Sequence, residues 1–122
     1  MKILIVEPRK SPHRADIPHT LEAMQRIVGG DIEESVPFDD PVAIVCNGEG
    51  KIQGAELNRA ILGKDIIAGT FFLCGVTAES FTDLPDDLFE KYEKLFHHPE
   101  AFARTPMGIL VIREDGRQEI IQ

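Results

Sequence analysis

The chain has 122 residues, 43% hydrophobic and 28% charged, values that fit one globular domain and exclude a disordered or collagen-like chain. Thirteen basic against 21 acidic residues leave a formal charge of −8, which opposes non-specific binding to nucleic-acid phosphates or anionic lipid. Two cysteines without a CxxC pair, and a Met1 that leads straight into a strand-like run rather than a signal peptide, point to a reducing cytoplasm. The longest apolar run, residues 66–76, is too short to cross a bilayer as a helix, so no membrane segment is expected.

In chain order, Lys2–Val6 reads as a buried central strand stopped by Glu7 and Pro8. Residues 8–18 hold three prolines and read as an extended loop with a local basic cluster, Arg9, Lys10, His13 and Arg14. Such a run is ordinarily a solvated surface; the alternative is an anion or partner site. Thr20 is a candidate cap for a helix over Leu21–Val28, in which Leu21, Met24 and Val28 recur at helical spacing before the Gly29-Gly30 stop. Residues 31–36 alternate as a half-exposed strand. Asp31, Glu33, Glu34, Asp39 and Asp40 then place five acids within ten residues without one base.

Residues 42–46 are a continuous apolar strand, and the following Asn47-Gly48 predicts a type I′ hairpin into a strand over residues 51–53. Residues 55–62 put Leu57, Ile61 and Leu62 on one helical face, which predicts a short helix carrying Asn58 and Arg59 and ended by Gly63. Residues 66–76 resume strand character, with Gly69 as a bulge or close backbone contact and the sheet portion over 68–75. Thr82 or Asp83 would cap a helix over residues 84–96, with Leu84, Leu88, Tyr92 and Leu95 as its stripe, widened by Phe89 and Phe96. Strands over 109–112 and 119–121 form a terminal pair, whose open edge would allow a homodimer. The expected architecture is α+β, a single domain over residues 1–122 with a mostly antiparallel or mixed sheet of about five strands covered by two main helices.

The chemistry is less legible than the architecture. Cys46 and Cys74 lie in apolar strands, where a thiol packs as a small hydrophobe. His97 and His98 are adjacent on a helix and point about 100° apart, unlike a metal-chelating i, i+4 pair. Asp39 and Asp40 fall short of the oxygen count a hard cation requires. The glycines around Asn47 match neither GxGxxG nor GxxxxGK[ST], and no GxSxG or HExxH motif occurs. No cofactor, metal or catalytic residue is therefore assigned, and an enzyme is the less supported reading. Asn58-Arg59 stands out as a polar pair between strongly apolar segments, where a guanidinium either caps loop carbonyls or meets a ligand carboxylate or phosphate.

The segments MKILIVEP, LEAMQRIVGGDIE, PFDDPVAIVCNGEGK, LNRA and DIIAGTFFLCG together resemble the domain-of-unknown-function family number 3846, small proteins of bacteria, phages and mobile elements. The likeness is close from Met1 to about Gly75 and looser to Phe102. It implies no cofactor and no catalytic residue. Between LNRA and DIIAG this chain has only Ile61 to Lys64, where the family often carries a longer acidic turn.

Two functions remain as expectations. The first is a non-enzymatic accessory factor that binds another protein, of phage or mobile-element origin, with Asp39, Asp40, Asn58 and Arg59 as candidate contacts. Imitation of nucleic-acid phosphates by the acidic segment is one form of it, although −8 is a modest charge for that role. The alternative is a phosphate- or nucleotide-binding domain or enzyme using Arg9, Lys10, Arg14 and Arg59 as an anion cradle.

Overall fold

A computed structural model describes residues 1–122. Its strands are β1 (Lys2–Val6), β2 (His13–Asp16), β3 (Ile32–Ser35), β4 (Val42–Asn47), β5 (Leu57–Ile61), β6 (Asp65–Ala68), β7 (Phe71–Val76), β8 (Phe81–Thr82), β9 (Ala101–Thr105), β10 (Gly108–Ile112) and β11 (Gln118–Ile121). Its helices are α1 (Leu21–Val28) and α2 (Asp86–Leu95). The main sheet runs β2-β1-β7-β4-β3, with β8 paired to the end of β7; β5-β6 is a separate hairpin and β11-β10-β9 a third sheet. Every pairing is antiparallel. The architecture is α+β, as the sequence suggests.

The continuous apolar runs of β1, β4 and β7 follow from burial on both faces of this sheet. On one face Ile3, Ile5, Ala43, Val45, Phe72 and Cys74 receive Met24 and Val28 of α1. On the other, Leu4, Val6, Ile44, Phe71 and Leu73 pack against Phe89 and Tyr92 of α2, against Phe96 just past its end and against Ile61 and Ile67 of the β5-β6 hairpin. Each such side chain contributes roughly 1.5–3 kcal/mol when fully buried, so the two helices and the hairpin are held mainly by this apolar contact. The outer face of the hairpin carries Ile66, Leu57 and Ala60, which meet Val111, Ile121 and Phe102 of the terminal sheet.

α1 keeps its expected bounds and caps: the Thr20 side chain accepts from the Ala23 N–H, and Gly29 closes it at φ 82°. Elsewhere the structure corrects the sequence reading. Residues 51–53 form turns instead of a strand, because both edges of β4 are occupied by β3 and β7. The Asn47 side chain instead accepts from the Glu49 N–H and donates to Gln53 Oε1 at 2.9 Å, and these local bonds replace a hairpin. Residues 57–61 are a strand with a bulge, not a helix; the positive-φ hairpin turn is Leu62-Gly63, with φ 53° and 68° and the Lys64 N–H returned to the Ile61 carbonyl.

The apolar run over residues 66–76 is two strands in two sheets, broken at Gly69 (φ 81°), whose N–H donates to the Glu56 carbonyl at 2.7 Å. Within the expected loop of residues 8–18, β2 adds to β1 as an edge strand. α2 starts after Pro85 without a side-chain cap, because the Asp83 carboxylate accepts from the Lys2 N–H and so ties the lead-in of the helix to the start of β1. Leu95, expected in the helix stripe, is exposed, and the stripe is Phe89, Tyr92 and Phe96 with Leu84 ahead of the helix. The terminal strand pair is a triplet, completed by β9.

Candidate functional site

Asn58 and Arg59 are the two buried polar residues of the molecule, 0% and 1% exposed. The bulge between Leu57 and Arg59 lets successive side chains of β5 both reach the interior. Asn58 Nδ2 donates to the carbonyls of Val6 and Gly69, both at 2.9 Å, tying the end of β1 to the break between β6 and β7. Arg59 Nη1 donates to Asn58 Oδ1 at 2.8 Å, and Nη2 to the carbonyls of Lys10 (2.7 Å) and Phe96 (2.9 Å). Burial lowers the Arg59 pKa from its ordinary value, and the nearby Glu100 carboxylate opposes that shift. The pair thus holds β1, the segment after it, β5 and the end of α2 in one hydrogen-bonded node. It faces carbonyl oxygens, whose partners would otherwise be lost on burial.

Asp39 is exposed, whereas the neighbouring Asp40 accepts from Lys91 Nζ at 2.6 Å and from the Tyr92 hydroxyl at 2.7 Å. Those two donors hold the Asp40 carboxyl below the usual range. The Tyr92 hydroxyl is pushed up, first by burial and then by Asp40. Asp40 therefore anchors the segment after β3 to α2, and Phe38 stacks on Tyr92 with centroids 5.0 Å apart.

The basic residues are directed at separate partners. Arg9 Nε lies 2.9 Å from Glu56, and Lys10 Nζ 3.8 Å from Glu7. Arg14 grips Glu93 through Nε and Nη2 at 3.0 and 2.7 Å while its guanidinium lies over the Phe89 ring. That pairing holds the Glu93 carboxyl low. Together with the inward-facing Arg59, the four groups have no common focus.

Cys46 and Cys74 lie on opposite faces of the main sheet, Cys46 toward α2 and the hairpin, Cys74 in the layer against α1. Burial raises both thiol pKa values, Cys74 to about 12. His98 Nδ1 pairs with Glu114 at 2.7 Å, and no three histidine, cysteine, aspartate or glutamate side chains gather in a metal-binding cluster. No helix is long and apolar enough to cross a membrane.

Two surface clefts flank the β5-β6 hairpin. One, of about 680 Å³, lies between the end of α2 and the β10-β11 turn; within it Arg113 pairs with Glu100, Arg117 with Asp115, and His98 Nδ1 lies 2.7 Å from Glu114, while Lys94 on its wall pairs with Glu90 outside it. The other, of about 590 Å³, runs beside β3, over Cys46, Ile61 and Ile67, with Ile52 and Leu62 at its rim. β3 closes the main sheet and pairs with β4 alone. Glu33, Glu34 and Ser35 on it are exposed, and so is Val36 beyond it. The acidic content of this segment was legible in the sequence, but its position on a free sheet edge beside a groove was not, because Ile52 and Leu62 reach the groove only through the turns that replaced the expected hairpin and helix.

Comparison with curated proteins and with solved structures gives no match. The family model described as "Domain of unknown function (DUF3846)" matches residues 1–97, which span the main sheet and both helices. The chain belongs to the DUF3846 family.

Proposed function

We propose that this chain is a non-enzymatic protein-binding accessory factor of the cytoplasm, in the phage or mobile-element setting that its family resemblance implies. The observation that carries the reading is the edge of the main sheet: β3 leaves one row of backbone donors and acceptors unpaired, next to an apolar-floored groove of about 590 Å³. Unpaired edges are intrinsic templates for another chain, and proteins usually blunt them with short strands, bulges, prolines or charged side chains. β3 is four residues long with no bulge or proline, its register with β4 is regular throughout, and its two charges, Glu33 and Glu34, are both acidic, so they repel another acidic edge and select a basic one. Asp39 is an accessible polar group in the segment after it, whereas Asp40, Asn58 and Arg59 are committed to internal hydrogen bonds.

Affinity capture from host-cell extract tests the reading. A stoichiometric protein partner is expected, and none of a panel of nucleotides and cyclic nucleotides should raise the melting temperature. A ligand present at 100 times its Kd would add about 2.7 kcal/mol and be readily seen. A nucleotide shift without a captured protein overturns the proposal.

A further inference from the structure

We propose that the β3 edge binds an extended partner segment of the pattern apolar-basic-basic-apolar, added as a further strand to the main sheet. The inference deepens the protein-binding reading and rests on it. Its first support is the backbone. The Gly48 N–H donates to the Asp31 carbonyl at 3.0 Å, which makes Asp31 and Gly48 a hydrogen-bonded pair. In an antiparallel ladder such pairs alternate with non-bonded ones. In the register Ile32↔Asn47, Glu33↔Cys46, Glu34↔Val45, Ser35↔Ile44, the inward-bonding residues are therefore Glu33 and Ser35. The N–H and C=O groups of Ile32 and Glu34 point away from β4, toward an added strand.

The side chains supply the pattern. Glu33 lies opposite Cys46, on the groove face, and Glu34 opposite Val45, on the α1 face. An incoming strand thus meets one carboxylate on each face at consecutive positions, and directly opposed unlike charges stabilise a sheet pair. Opposite Ser35 its side chain enters the groove over Cys46 and Ile67; opposite Ile32 it meets an apolar side chain on the other face. Because the pattern is symmetric, it holds whether the partner runs parallel or antiparallel. A second copy of this chain fits less well: β3 against β3 opposes like charges, and Arg14 of the other free edge, β2, is already committed to Glu93.

The test uses the full chain and three capped peptides: acetyl-Gly-Ile-Lys-Arg-Val-Gly-amide, the same peptide with Glu-Glu at the centre, and the reordered acetyl-Gly-Lys-Ile-Val-Arg-Gly-amide. The first should bind at least tenfold more tightly than either control and slow amide exchange at Ile32 and Glu34. The double variant Glu33→Lys/Glu34→Lys should weaken it at least tenfold. Glu34→Pro removes an outward N–H that β4 does not use, so it should abolish binding while circular dichroism and the melting temperature persist. Equal binding of the reordered peptide would reduce the effect to charge attraction and overturn strand addition. Concentration-dependent self-association that protects the same amides would make a second copy the occupant and overturn it equally. If no peptide binds, yet wild type and Glu33→Lys/Glu34→Lys capture the same partner, strand addition fails while protein binding stands; if neither captures a protein, the parent reading fails as well.

Discussion

Arg59 Nη2 donates to the carbonyl of Phe96 at 2.9 Å, joining the bulged strand β5 to the residue that ends α2. The same nitrogen reaches the Lys10 carbonyl, so one guanidinium couples three segments far apart in the chain. Arg59→Ala should strand these buried acceptors at about 1–3 kcal/mol each. The expected result is an unfolding free energy from urea titration lower by several kcal/mol, seen as a reduced midpoint, or failure to fold. Arg59→Lys should recover little, since an ammonium lacks the planar fork. Partner loss with an unchanged midpoint would instead make Arg59 a contact residue.

Asp40 and Glu93 both have carboxyl pKa values below normal, through Lys91 and Tyr92 in one case and Arg14 in the other. A depressed folded-state pKa means that the unfolded chain binds protons first as pH falls. Their stabilisation should be full above about pH 4–5, near the unfolded-state carboxyl values, and lost as pH drops through the folded-state values. Asp40→Asn and Glu93→Gln should each flatten the acid limb of the melting-temperature profile. An unchanged limb in both would contradict these pairings.

Gly50 is required for space: a Cβ there would lie 2.7 Å from the Ala68 carbonyl oxygen. Gly50→Ala should destabilise by about 1–3 kcal/mol, as overpacking does, measured by urea titration. Gly54, where a Cβ meets nothing within 4 Å, separates the two causes, because Gly54→Ala carries only the strain of φ 76°.

Leu62 sits at φ 53° in the β5-β6 turn and is 58% exposed, so it bears left-handed strain and buries little. Leu62→Asn should stabilise the chain by about 0.5–1 kcal/mol, seen as a higher melting temperature, because asparagine tolerates this conformation ahead of Gly63. A lower melting temperature would show that the Leu62 side chain contributes more to the clefts than its exposure indicates.

The sequence revealed the elements whose causes are local. β1, β4 and α1 follow from apolar runs, helical spacing, the Thr20 cap and the Gly29 stop. It misled where distant contacts decide. Asn47-Gly48 carries a hairpin signal, but β7 takes the edge of β4 that a hairpin would need. Leu57, Ile61 and Leu62 fit a helix, yet Asn58 and Arg59 find their acceptors at Val6, Lys10, Gly69 and Phe96 only if the segment is extended. The acids of β3 were visible as a cluster, but a linear pattern does not show which strand closes the sheet.

Hydrogen exchange on the purified complex with the captured partner tests the account most directly. Protection is expected to rise at residues 32–36, with the largest slowing at the Ile32 and Glu34 amides, while residues 86–95 of α2 change little. Protection confined to α2 or to the terminal sheet, with the β3 amides exchanging as in the free chain, would contradict it.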